Sequence, residues 1–111
     1  MAFDERLAQR IRQILKRTRG LTEQRMFGGL CFLLRGHMCC GIERDRLVVR
    51  VGPEQYERAL ARPHARPMDL TGRPLKGFVY VSAEGCRTAA SLKAWVSRGL
   101  AFASSLPNKK T

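Results

Sequence analysis

The sequence predicts an α+β domain of two layers, with helices packed on an antiparallel sheet of four or five strands. Three observations carry this. An amphipathic helical period opens the chain and another closes it, and the stretch between them changes to short apolar runs separated by one- or two-residue polar turns. At 111 residues there is room for one modest core. A hydrophobic share of 44% with only 5 prolines marks a chain that folds rather than one that stays disordered.

Asp4 is placed to cap the first helix, in which Leu7, Ala8, Ile11, Ile14 and Leu15 recur at helical spacing before Gly20 stops it. Its opposite face carries Arg6, Arg10, Gln13, Lys16 and Arg17. Three strands follow, at 23–34, 37–42 and 46–51, joined by turns at Arg35-Gly36 and Arg44-Asp45. Gly52-Pro53-Glu54 opens a short helix through Tyr56, Ala59 and Leu60, because proline is tolerated in a first turn. The two prolines of 62–67 suggest a loop, then short strands at 68–70 and 77–81 flank a turn at Gly72-Arg73-Pro74. The last helix begins near Thr88 and presents Leu92, Trp95, Val96, Phe102, Ala103 and Leu106. The order is α-β-β-β-α-β-β-α, a single domain over 1–107 with a polar tail at 108–111.

Register divides the strands into two faces. With Arg35-Gly36 as a two-residue loop, Cys31 faces Cys40 and Phe32 faces Cys39. The core face then collects Phe27, Cys31, Leu33, Met38, Cys40, Ile42, Leu47, Val49 and Val51. The second face holds Met26, Leu30, Phe32, Leu34, Cys39 and Val48 around Arg50. A solvated face should alternate to polar residues and this one does not, so it is expected to be covered by a second copy of the chain.

Charge is the outlier in composition. There are 21 Lys+Arg against 9 Asp+Glu, a formal net charge of +12, and 16 of the cations are arginine. A surface this basic attracts polyanions, so nucleic acid is a candidate partner, held mainly through phosphates and with weak sequence selectivity. The candidate contacts are Arg6, Arg10, Lys16 and Arg17 on the first helix and Arg73 and Lys76 near the glycine-framed turn. Arg73 and Lys76 have a second reading, pairing with Asp69 to fix that turn. Helix-turn-helix and RNA-recognition signatures are missing.

No catalytic constellation emerges. Cys31, Cys39, Cys40 and Cys86 lack the Cys-x₂₋₄-Cys spacing of structural zinc sites and read as core thiols. His37 and His64 have no recognisable nucleophile beside them, and the carboxylates read as surface charges. Gly28-Gly29 fits no phosphate-binding fingerprint. The expectation is a protein that is not an enzyme and holds neither metal nor cofactor. Met1-Ala2-Phe3-Asp4-Glu5 has no secretory pattern and no apolar run is long enough to span a membrane, so a cytoplasmic location is expected.

Two runs are distinctive. One is Arg25-Met26-Phe27-Gly28-Gly29, a glycine pair within a strand-like stretch; the other runs from Met68-Asp69 through Gly72-Arg73-Pro74-Leu75-Lys76-Gly77 to Val81. With the hairpin at Gly36-His37-Met38 and Val49-Arg50-Val51-Gly52, they resemble the N-terminal domain of the TfoX/Sxy family. The likeness spans Asp4 to Leu106. It implies a two-layer α/β domain and a regulatory role, exercised in full-length members on transcription of bacterial competence genes. Those members carry a further C-terminal helical domain, so this chain is expected to act as the stand-alone N-terminal module. Its expected partner is a protein, with the transcription machinery one candidate.

Overall fold

In the computed structural model, which describes residues 3–26, 28–69 and 72–107, six antiparallel strands form one sheet with every helix on the same side. The elements are α1 (Glu5–Leu15), β1 (Leu21–Met26), β2 (Gly29–Leu34), β3 (His37–Glu43), β4 (Arg46–Arg50), α2 (Tyr56–Leu60), β5 (Ala65–Asp69), β6 (Pro74–Val81) and α3 (Ala89–Ser104). A 3₁₀ turn at Ala83–Cys86 leads into α3. Across the sheet the order is β1-β2-β3-β4-β6-β5.

The α+β class is as the sequence predicts, with more strands. The single strand expected over 23–34 is a hairpin. Gly28 takes φ +72°, which suits a tight reversal, and a Cβ on Gly29 would lie 2.0 Å from the Ile42 carbonyl oxygen. The glycine pair therefore ends β1 and lets β2 lie close against β3. The stretch expected to be a loop before Pro67 is partly strand, since β5 starts at Ala65. Arg66 and Pro67 are tolerated because β5 is an edge. Phe27, Leu70 and the tail at 108–111 lie outside the described residues.

Capping agrees with the residues read for it. The Asp4 carboxylate accepts from the amides of Arg6 and Leu7, and the Thr88 hydroxyl accepts from the Ser91 amide. The start of α1 is tied to the β3–β4 turn, where the Asp4 amide donates to the Arg44 carbonyl at 2.7 Å. Its far end is held to β1 by Arg12, whose guanidinium donates twice to the Glu23 carboxylate at 2.7 and 2.8 Å. That hydrogen bonding holds the Glu23 pKa below its ordinary value. A depressed carboxylate pKa adds stability at neutral pH that is lost as pH falls into the acid range, and for an exposed pair it amounts to about 0.5 kcal/mol.

The main core joins Leu7, Ile11 and Leu15 of α1, Leu92, Trp95 and Val96 of α3, and Tyr56 and Ala59 of α2 to one face of the sheet. That face is built from Leu30, Phe32 and Leu34 of β2, Cys40 and Ile42 of β3, Leu47 and Val49 of β4, and Val79 and Val81 of β6. This corrects the expected division of the strands. Leu30, Phe32 and Leu34 are buried beneath the helices, so they form no dimer face; Phe32 is 0% exposed. Cys31, Leu33 and Met38, expected in the core, lie on the opposite face.

The cause is one extra residue. Phe32 pairs with Cys40 and Leu33 with Met38, leaving Cys39 as a bulge in β3. A shift of one residue turns every side chain of a strand to the other face, and β2 as a whole changes sides. Cys39 and Cys40 consequently both enter the core, with their sulfurs 4.0 Å apart. Cys31 pairs with Gly41 rather than Cys40.

A candidate interaction surface

The face of the sheet away from the helices carries a second apolar cluster. Val48 of β4, Met68 of β5 and Tyr80 of β6 form it, and Met38, Leu75 and Phe78 pack against it half-buried. Strand alternation places them there: Val48 pairs with Gly41 on one side and Tyr80 on the other, and Tyr80 pairs with Arg66. Met26 and Val48, both expected on an uncovered face, lie on it, where they line a shallow depression with Cys31, Met38 and Met68.

Cations frame this cluster. The Arg46 guanidinium lies 3.8 Å from the centre of the Tyr80 ring and is also bonded to the Glu43 carboxylate. Arg50 lies 5.5 Å from Phe78 and 5.2 Å from Phe102, at the end of β4. Burial is the main cause that raises the Tyr80 phenol above its ordinary pKa. The phenol therefore stays protonated at neutral pH. Val48, Met68 and Tyr80 are themselves buried, so what this face offers a partner is the half-buried Met38, Leu75 and Phe78 with an arginine margin suited to carboxylates.

The other basic residues do not converge on this patch. Arg6 is exposed on α1, Lys16 and Arg17, expected on that helix, are exposed just past its end, and Arg10 is committed to structure, donating to the carbonyls of Cys86 and Arg87 at 2.8 and 3.2 Å. Arg25 turns to the helix side, 5.4 Å from the Phe3 ring. Arg73 and Lys76 are exposed near the β5–β6 turn. That turn is fixed by the Asp69 carboxylate accepting from the Gly72 amide at 2.6 Å, not by Asp69 pairing with either cation. Pro74 begins β6, and the Gly77 carbonyl accepts from the amides of Val51 and Gly52. Arg12 ties the end of α1 to the β1 edge and Arg73 follows the β5 edge, so Lys16 and Arg17 stand across the sheet from Arg73, while Arg6 is at the start of the helix, near the β3–β4 turn.

Among the described residues no three His, Cys, Asp or Glu side chains are grouped to hold a metal ion. The four thiols are free and buried. Burial pushes Cys31 and Cys86 up to about 11, and the sulfur contact with Cys39 together with burial holds Cys40 well above the usual thiol range. The thiolate is the reactive form, so Cys31, Cys40 and Cys86 are protected twice, by access and by protonation, whereas Cys39, whose pKa the hydrogen bond to Cys40 lowers, is protected by burial alone. We expect Ellman's reagent at pH 8 to leave the native protein largely unmodified over minutes and to count four thiols at once in guanidinium. Rapid labelling of one thiol in the native state would show that a wall of the core opens.

Sequence reasoning missed Arg46, Tyr80 and Phe78 as surface residues. The alternation was legible in Phe78-Val79-Tyr80-Val81 and Arg46-Leu47-Val48-Val49-Arg50, but only with β4 and β6 placed side by side does it define a patch. The architecture is thus a small α+β domain with one helix-covered and one open sheet face. The family model of the TfoX N-terminal domain matches residues 13–103, and the chain belongs to that family. No curated protein and no solved structure matches it. No helix among the described residues is long and apolar enough to cross a membrane.

Proposed function

We propose that this domain is a non-enzymatic regulatory module that binds an acidic protein partner in the cytoplasm through the open face of its sheet. The observation that carries the reading is the second apolar cluster, Val48, Met68 and Tyr80 with Met38, Leu75 and Phe78, bordered by Arg46, Arg50 and Arg66. An apolar centre with a polar rim is the anatomy of a protein interface, and the rim here carries more cations than carboxylates, with Glu43 already paired to Arg46. Two copies apposed through it would bring like charges together in a chain of net charge +12, so an acidic partner complements it better than a second copy. Family membership supports regulation as the role this contact serves, with the transcription machinery and competence genes as its proposed setting.

Nucleic acid is the second reading, favoured by the arginines and aromatics that share the open face. Base stacking there would require Arg46 to leave the Tyr80 ring it already covers at 3.8 Å.

The test compares proteins retained at physiological salt by the wild type and by Met38→Glu, after nuclease treatment, with sedimentation velocity on both. Met38 is half-buried and outside the main core, so the variant should stay folded. The expected result is a monomer that retains an acidic protein in the wild type and loses it at least tenfold in the variant. Retention unchanged in Met38→Glu, or abolished by nuclease, would sink the reading. A wild-type dimer that Met38→Glu splits would make the occupant a second copy.

A further inference from the structure

On the helix side, away from the open sheet face, lies a cavity of about 680 Å³ between the α2 approach and the second half of α3. Its walls are mainly apolar, from Val51, Pro53, Ala59, Phe102 and Leu106. That volume lies within the range of pockets that enclose small organic ligands. Arg98 is its fixed cation. The guanidinium lies 5.1 Å from the Trp95 ring, and Trp95 is itself buried, so the charge is held in place rather than sweeping through solvent.

Among the described residues no carboxylate pairs with Arg98. Burial, and after it the neighbouring charge of Arg62, lower its pKa. Arg50 stands 5.2 Å from the Phe102 ring that lines the cavity. Of these three cations only Arg98 lines the cavity, and the one carboxylate in the lining is Glu54. An apolar chamber bordered by a partnerless, positioned guanidinium is complementary to a molecule with an apolar body and one anionic end.

We infer that this cavity binds a small amphiphilic carboxylic acid, with its hydrocarbon part against Phe102, Leu106 and Val51 and its carboxylate on the Arg98 guanidinium. Arginine suits this role because its planar fork matches a carboxylate with two donors. Arg98 needs no rearrangement to present it, since the stack on Trp95 already orders the side chain. The cavity meets the surface proposed for the partner only at Arg50, which does not line it, so each can fail without the other.

Trp95 is the single tryptophan of the chain and reports on the site through Arg98, since it does not itself line the cavity. The experiment titrates the wild type with decanoate and with decylammonium below their micelle concentrations, following Trp95 emission and amide shifts. The expected result is saturable one-to-one binding of decanoate, with shifts centred on 98–106, and at least tenfold weaker binding of decylammonium. Arg98→Gln should reduce decanoate affinity about tenfold, and Ala101→Trp, at an exposed position on the cavity lining, should block it while the fold persists by circular dichroism. In Ala101→Trp the amide shifts supply the readout. Equal binding of the two amphiphiles, decanoate shifts on the open sheet face, or full affinity in Ala101→Trp would each overturn the assignment.

Discussion

Replacing Phe32 by alanine should lower unfolding free energy by about 3–5 kcal/mol, while the same truncation at its neighbour Leu33 should cost about 1 kcal/mol or less. Phe32 is 0% exposed and packed among residues of the helix-covered face; Leu33 is half-buried on the other side of the sheet. Loss of the ring leaves a cavity between β2 and the helices, which a close-packed interior fills only in part. Against a total stability of about 5–15 kcal/mol, that loss removes from about a fifth to all of it. Urea midpoints for the two variants, read at unchanged m, measure the difference. The pair works as a register gauge. If Leu33→Ala proved the costlier change, β2 would be paired without the Cys39 bulge and the faces would be reversed.

This contrast marks where the sequence was readable and where it was not. Helix α1 was legible to the residue that caps it, because Asp4 and the spacing of Leu7, Ile11 and Leu15 act locally. The thiols were legible as buried side chains, since their spacing lacked a metal pattern, although Cys31 is buried on the face away from the helices. The open sheet face was legible as a class of feature, from too many apolar positions for two helical layers to absorb, yet its membership was not. A strand of six apolar residues, Gly29–Leu34, offers no polar alternation to say which side faces inward. The turn residues then decide, and Arg35-Gly36 read as an unbulged hairpin gives the opposite answer for all of β2. Met26 and Val48 escaped the error because neither belongs to β2 or lies between that turn and the bulge.

The cavity beside α3 was beyond reach for another reason. Its walls come from Val51-Gly52-Pro53, from Ala59 and from a helix about fifty residues later, and nothing in their local pattern announces that they meet. Arg98, read alone, is one of 16 arginines in a basic chain. Only the fold distinguishes it, by stacking it on Trp95 at the edge of an apolar chamber.

Helix α3 sits on the bulge itself, and Gly99 is where they touch. A Cβ at that position would lie 2.0 Å from the Cys39 carbonyl oxygen and 3.2 Å from Val49 Cγ1. The first of these is backbone, which cannot swing aside as a side-chain end can. Gly99→Ala therefore sets two effects against each other. Helix propensity favours alanine by about 1 kcal/mol in a helix interior, while overpacking against a fixed strand costs about 1–3 kcal/mol or more. The clash wins, because relieving it moves α3 off a sheet to which Leu92, Trp95 and Val96 also bind it. We expect Gly99→Ala to destabilise by about 1–2 kcal/mol and Gly99→Val by more than about 3 kcal/mol, enough with the added bulk at the bulge to lose cooperative unfolding. Ala94→Gly, exposed on the same helix, isolates propensity alone and should cost about 1 kcal/mol. Thermal and urea unfolding of the three variants decide the matter. A Gly99→Ala protein more stable than the wild type would mean that α3 rides higher above β3, and that Cys39 and Cys40 are not sealed beneath it.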